Sequence, residues 1–173
     1  MMNNIRKESD EVLYSEDEYI SLNNKNIEWL KGLCAKNSSG KIRLCSHRSI
    51  KDNLHEMLIV HSKNCYVRPH KHINQIESMS VLEGEADYII FDDNGNVTKV
   101  LKMGEKVSGK VFYNRIDKPK YHMLIIRSDY LVFHEITNGP LDRSKTIFPD
   151  WAPKKCESNF MEKINNYILK FEK

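Results

Sequence analysis

The chain has 173 residues, a net charge of +3, 40% hydrophobic and 9% aromatic residues. That length suits one domain with a buried core, and acids interspersed among the 27 basic residues leave no nucleic-acid footprint. No stretch approaches 18 apolar residues and Met1 to Asp10 holds no apolar run, so no membrane insertion and a cytoplasmic location are expected.

Residues 1–10 are polar and are expected to be loosely ordered. A short strand is expected around Val12, Leu13 and Tyr14. Ile27, Leu30, Leu33 and Cys34 then recur at helical spacing, with Asn23 or Asn24 as N-cap and Asn37-Ser38-Ser39-Gly40 as the stop. From Lys41 to about Thr137 the pattern is β. Runs rich in Val, Ile, Tyr and Phe fall at 42–45, 56–60, 65–69, 78–82, 86–91, 97–101, 110–113, 121–127 and 130–136, with turn residues between them. Asp93-Asn94-Gly95 predicts a hairpin, with Asn-Gly in a type I′ turn. Many short strands and few helices point to a sandwich or closed barrel.

Gly139-Pro140 opens an irregular segment that runs through Pro149, Trp151 and Pro153. A last helix follows, with Ser158 as its cap and Phe160, Ile164, Tyr167, Ile168 and Phe171 as its apolar stripe. The stripe is expected to pack on the barrel exterior or on a second subunit. The fold class is therefore mainly β, a barrel with an N-terminal and a C-terminal helix. The expected division is an extension over 1–22, a barrel domain with its leading helix over 23–155, and a helix over 156–173. Small barrels leave an edge strand or a helix face to cover, so a homodimer is expected.

The chemistry concentrates in Arg68-Pro69-His70-Lys71-His72-Ile73-Asn74-Gln75-Ile76-Glu77. In an extended strand, side chains two apart share a face. His70 and His72 then point one way, with Tyr66 and Arg68 beside them, and Glu77 comes from the next strand or bend. Two imidazoles and a carboxylate on one concave surface make a site for Zn, Fe, Mn, Ni or Co. The same parity turns Cys65 away. The cysteines Cys34, Cys45, Cys65 and Cys156 form no C-x-x-C pair, so reduced thiols are expected rather than a zinc knuckle or a redox dithiol.

His70-x-His72, four residues, Glu77, six residues and Gly84 resembles the first cupin motif, with Asn64 in place of its usual leading glycine. Pro119-Lys120-Tyr121-His122 resembles the second motif, with Tyr121 at its usual glycine. The resemblance implies a cupin jelly-roll β-barrel in which His70, His72, Glu77 and His122 surround one divalent metal ion. Lys41 to His47, Glu56 to Ile59, Tyr66 to His72, Glu77-Ser78, Val81 to Gly84, Phe91-Asp92-Asp93, Gly139-Pro140 and Trp151-Ala152-Pro153 are similar to the WbuC family of cupin-fold metalloproteins over about residues 22–155. That family usually has an aromatic after Gly-Pro, where this chain has Leu141. Its genes accompany bacterial O-antigen and capsule assembly.

The expected ligand is a sugar or nucleotide-sugar. Tyr66 is the candidate proton relay, Arg68 the candidate phosphate or carboxylate holder, and His47 a ligand-binding or ligand-orienting group. Tyr66 equally suits core packing, Arg68 a surface salt bridge, and His47 a solvated strand end. Glu135 matches the family and suits either the pocket or a strand-edge salt bridge. His55, His61 and His134 have no supporting spacing. Three functions fit: a metal-dependent isomerase, epimerase or lyase; a metal cupin that binds a sugar or small acid without turnover; and a metal-free epimerase-like cupin with histidine acid and base. An oxygenase is a further enzymatic variant.

Overall fold

The structure, a computed structural model, describes residues 4–171. The expectation of loose order over 1–3 and the last two positions of the C-terminal helix lie outside the described residues. The elements in chain order are β1 (Ile5–Lys7), β2 (Val12–Ser15), α1 (Asn24–Lys36), β3 (Lys41–Cys45), β4 (Leu54–Ser62), β5 (Lys71–His72), β6 (Glu77–Glu83), β7 (Glu85–Phe91), β8 (Val97–Gly104), β9 (Tyr113–Ile116), β10 (Tyr121–Ile126), β11 (Tyr130–Asn138), β12 (Thr146–Ile147) and α2 (Ser158–Phe171).

A seven-stranded sheet in the order β1-β2-β3-β4-β11-β6-β9 faces a three-stranded sheet in the order β10-β7-β8, and β12 pairs with β5. All pairs are antiparallel except β2 with β3. The inner faces of the two large sheets meet through Tyr14, Met57, Ile59, Met79, Tyr88, Leu124 and Phe133, among others. The result is a jelly-roll barrel of the cupin type with a helix against each outer face.

Alternation explains the layering. Ile42 and Leu44 on β3 and Leu58 and Val60 on β4 turn outward and bury Leu30 and Cys34 of α1. On the other side Ile89, Phe91, Met123 and Ile125 receive Ile164 and Ile168 of α2. Every residue of β10 is buried, because that strand is covered on both faces. Asn23 caps α1 in a capping box with Asn26. The stripe of α2 packs on the barrel as expected, except that Phe171 stays 51% exposed.

Four local expectations are corrected. Residues 5–7 form a strand that pairs with β2. Residues 65–69 form no strand, because Pro69 has no N–H to give to a ladder. The run placed at 110–113 pairs instead as β9, from Tyr113. The β7–β8 hairpin is real, but among the described residues only glycines have positive φ, so the turn is not type I′. Gly95 takes φ 83°, while the Asp92 carboxylate accepts from the Asn94 and Asn96 backbone N–H groups at 2.9 Å. Gly84 also sits at positive φ (85°), where a Cβ would strike the Tyr130 carbonyl oxygen.

Candidate metal centre

His70 and His122 are brought together by the backbone. The His70 N–H donates to the His122 carbonyl at 3.1 Å, and the His122 N–H returns the bond at 2.9 Å. His72 follows two residues later on β5, which is held by β12 through the pair His72 and Thr146. Glu77 starts β6 beside Thr137 of β11. One ring nitrogen of each of His70, His72 and His122 lies within 4.8 Å of the other two.

The tautomers follow from the hydrogen bonds. Nδ1 of His70 lies 2.8 Å from the Arg68 carbonyl oxygen, and Nδ1 of His122 lies 2.9 Å from that of Lys120. A carbonyl only accepts, so both Nδ1 atoms carry the proton and both Nε2 lone pairs are free. Nδ1 of His72 is 3.1 Å from the Thr146 hydroxyl. Glu77 sits between two of the rings, with Oε2 3.5 Å from His72 Nε2 and Oε1 3.6 Å from His122 Nε2. Donors each about 2.0–2.2 Å from one ion stand roughly 3–3.5 Å apart. The donor set therefore fits a divalent metal ion.

Electrostatics agree. Burial, with the neighbouring imidazoles, pushes His70 and His72 down to about 3, and burial lowers His122 as well. All three rings stay neutral, the form that binds metal. Burial pushes Glu77 up to about 7. Tyr88 stacks on His122 at 5.4 Å and Phe148 lies 5.9 Å from His70.

The cluster opens into a cavity of about 1050 Å³ between the sheets. Tyr66, Arg68 and His47 all line it. Tyr66 and Arg68 reach it from an extended segment, and their polar ends engage residues 149–153. The Tyr66 hydroxyl donates to the Pro153 carbonyl at 3.0 Å, and burial pushes it up to about 12. The Arg68 guanidinium donates to the Ala152 carbonyl at 2.9 Å and the Pro149 carbonyl at 3.3 Å, and lies over the Phe148 ring at 4.8 Å. His47 stacks flat on His55, with centroids 4.1 Å apart and planes at 6°. Cys65 is buried and absent from the cavity wall, although Val67, two positions on, lines it.

Two residues of this region escaped sequence reasoning. Thr146 touches His72 from 74 positions away, with no motif to announce it. Arg43 faces the cavity because it shares a β3 face with Lys41 and Cys45, a parity readable in the sequence. Glu135 also lines the cavity and makes no salt bridge there among the described residues; burial, with the charge of Glu77 nearby, pushes it up to about 8.

A protein-family model described as a domain of unknown function (DUF6016) matches residues 22–103. No curated protein matches the chain. Solved structures are similar over part of it. Oxalate decarboxylase from Bacillus subtilis is 17% identical, covering 57% of this chain and 24% of that one, with a TM-score of 0.46. Procruciferin, an 11S globulin from Brassica napus, is 18% identical over 51% of this chain and 21% of that one, with a TM-score of 0.42. Oxalate decarboxylase from Lactobacillus farciminis, in a formate complex, is 14% identical over 56% of this chain and 27% of that one, with a TM-score of 0.45. The matched part spans about a quarter of the length of each. No helix among the described residues is long and apolar enough to cross a membrane.

Proposed function

We propose that the chain is a metal-dependent enzyme of the isomerase, epimerase or lyase type, acting on a sugar or nucleotide-sugar. The observation that carries this reading is the convergence of three imidazoles and Glu77 on the wall of a large cavity. A bound divalent ion supplies Lewis acidity, polarising a carbonyl or lowering the pKa of a bound water. The chain's own residues do the rest. His70, His72, Glu77 and His122 hold the ion. His47 binds or orients the ligand from the cavity wall, and Arg68 lends positive charge at the mouth. Tyr66 serves as proton relay by exchanging its bond to Pro153 for one to the substrate.

The sugar class and the setting rest on different ground. The resemblance to the WbuC family, found with O-antigen and capsule genes, supports a role in bacterial surface-polysaccharide biosynthesis by a cytoplasmic homodimer. Fold alone does not fix chemistry. The test is metal analysis of unheated, tag-free protein, followed by turnover with a panel of nucleotide-sugars and sugar phosphates, with and without chelator. Chelator-sensitive conversion of one of them is the expected result. Binding without conversion favours a non-catalytic sugar-binding cupin, and conversion by metal-free protein favours the epimerase-like alternative.

A further inference from the structure

The cavity wall carries several cations, and most are already committed. Arg6 pairs with Glu8 at 2.7 Å and Glu16 at 3.1 Å. Arg48 donates to the carbonyls of Ser15 and Asp17, and Arg68 to those of Pro149 and Ala152. Lys41 stands 3.5 Å from Glu11. Arg143 and Lys154 are exposed at the rim. Arg43 differs from all of these. It is half-buried, it lines the cavity from the middle of β3, and its guanidinium makes no hydrogen bond or ion pair among the described residues.

A guanidinium is a rigid fork of five N–H donors, matched to a carboxylate or phosphate. Solvent still reaches its nitrogens, so the fork is open to an acceptor from a neighbouring side chain or from the cavity. The neighbours offer none. Glu135, the carboxylate on whose charge Arg43 acts, stands two strands away on β11, about 10 Å by strand spacing. Tyr14, Cys45, His47 and His61 also lie within the field of Arg43, and none of them accepts from it. The metal cluster opens into the same cavity, with Glu77 on β6, three strands from β3.

We infer that Arg43 is the anchor for an anionic group of the ligand, a phosphate or carboxylate, whose other end is presented to the His70, His72, His122 and Glu77 cluster. The inference deepens the proposed function and rests on the reading of this cavity as the substrate site. It defines the ligand class as molecules with two ends: one oxygen-rich and able to chelate, the other a fixed anion. Sugar phosphates and sugar acids meet both requirements, and a neutral sugar meets only the first.

The test is calorimetry on the full-length, metal-loaded protein with inorganic phosphate, glucose 1-phosphate, glucuronate and glucose. Wild type should bind glucose 1-phosphate or glucuronate more tightly than glucose, and the stronger of the two identifies the anion. Arg43→Met should weaken that binding, and binding of phosphate, roughly ten-fold or more, with metal content unchanged. Arg43→Lys keeps the charge without the fork and should fall between them. It also serves as the test variant if Arg43→Met does not fold. Wild-type anion affinity in the folded variant, or no anion binding by wild type, overturns the inference. Phosphate binding that depends on Arg43 but gains nothing from an attached sugar sustains the anchor and sinks the sugar reading instead.

Discussion

Removing His72 tests the metal centre most directly. Its ring supplies one of the three convergent nitrogens and faces Glu77 at 3.5 Å. An ion that binds only the folded chain stabilises it by about 2.7 kcal/mol at a hundred-fold excess over Kd. For a chain of this size each kcal/mol moves Tm by about 2–4 °C. Metal at that concentration should therefore raise the wild-type Tm by roughly 5–11 °C. Loss of one donor of four should weaken binding by about 100-fold or more, leaving a gain of only about 0.4 kcal/mol, or about 1–2 °C, at the same concentration. The assay is scanning calorimetry of chelated and metal-titrated protein, with metal content measured in parallel. Each protein is compared with its own metal-free form, so any packing loss from the substitution cancels. A His72→Ala protein that keeps full occupancy and the wild-type rise would refute the assigned ligand set.

Thr146→Val removes the hydroxyl 3.1 Å from His72 Nδ1 while keeping the shape, and metal affinity should drop about 10–100-fold, with Thr146→Ser restoring it; competition against a chromogenic chelator reads both. Leu30 is fully buried between α1 and the sheet, so Leu30→Ala should cost about 2–5 kcal/mol in urea denaturation without changing the metal stoichiometry. Burial, with Lys41 and Arg43 nearby, pushes His61 down to about 3 from 6.5. Between those values the folded chain binds fewer protons than the unfolded one, so this contribution is complete above pH 6.5 and is lost as pH falls toward 3. His61→Leu should flatten the acid limb of stability against pH, measured as urea midpoints; an unchanged limb rules out His61 as a contributor.

The parts of the fold that could be read from the sequence are those governed by local periodicity. The stripes of α1 and α2 marked the faces that pack on the barrel, since each helix needs only its own residues to show which side is apolar. Parity failed over 65–69, where Pro69 breaks the ladder that parity presupposes. Tyr66 and Arg68 still reach the cavity, but through contacts with residues 149–153 that lie more than 80 positions away. The hairpin at Asp92 was signalled by Asn-Gly, yet its turn type depends on the Asp92 carboxylate, which ties down Asn94 and Asn96.

The site divides in the same way. His70, His72 and Glu77 are visible because one short segment carries all three, whereas His122 joins them only through a backbone bridge across the barrel. Its place was foreseen through resemblance and not through spacing. The inner wall shows why such a cavity is hard to read from pattern alone. On β3 the apolar residues Ile42 and Leu44 face outward to α1, while Lys41 and Arg43 face inward. The usual rule, apolar in and polar out, is inverted wherever a helix covers the outside and a ligand space occupies the inside. The same inversion places His55, Glu135 and Thr137 on the inner wall and Leu58 and Val132 beneath the helix. A strand whose polar face carries Arg, His or Glu opposite a continuous apolar face is thus a signature of a barrel with a functional interior. In this chain β3 carries it in full, while on the neighbouring β4 and β11 the outer face is interrupted by Glu56 and His134, which stand 3.9 Å apart.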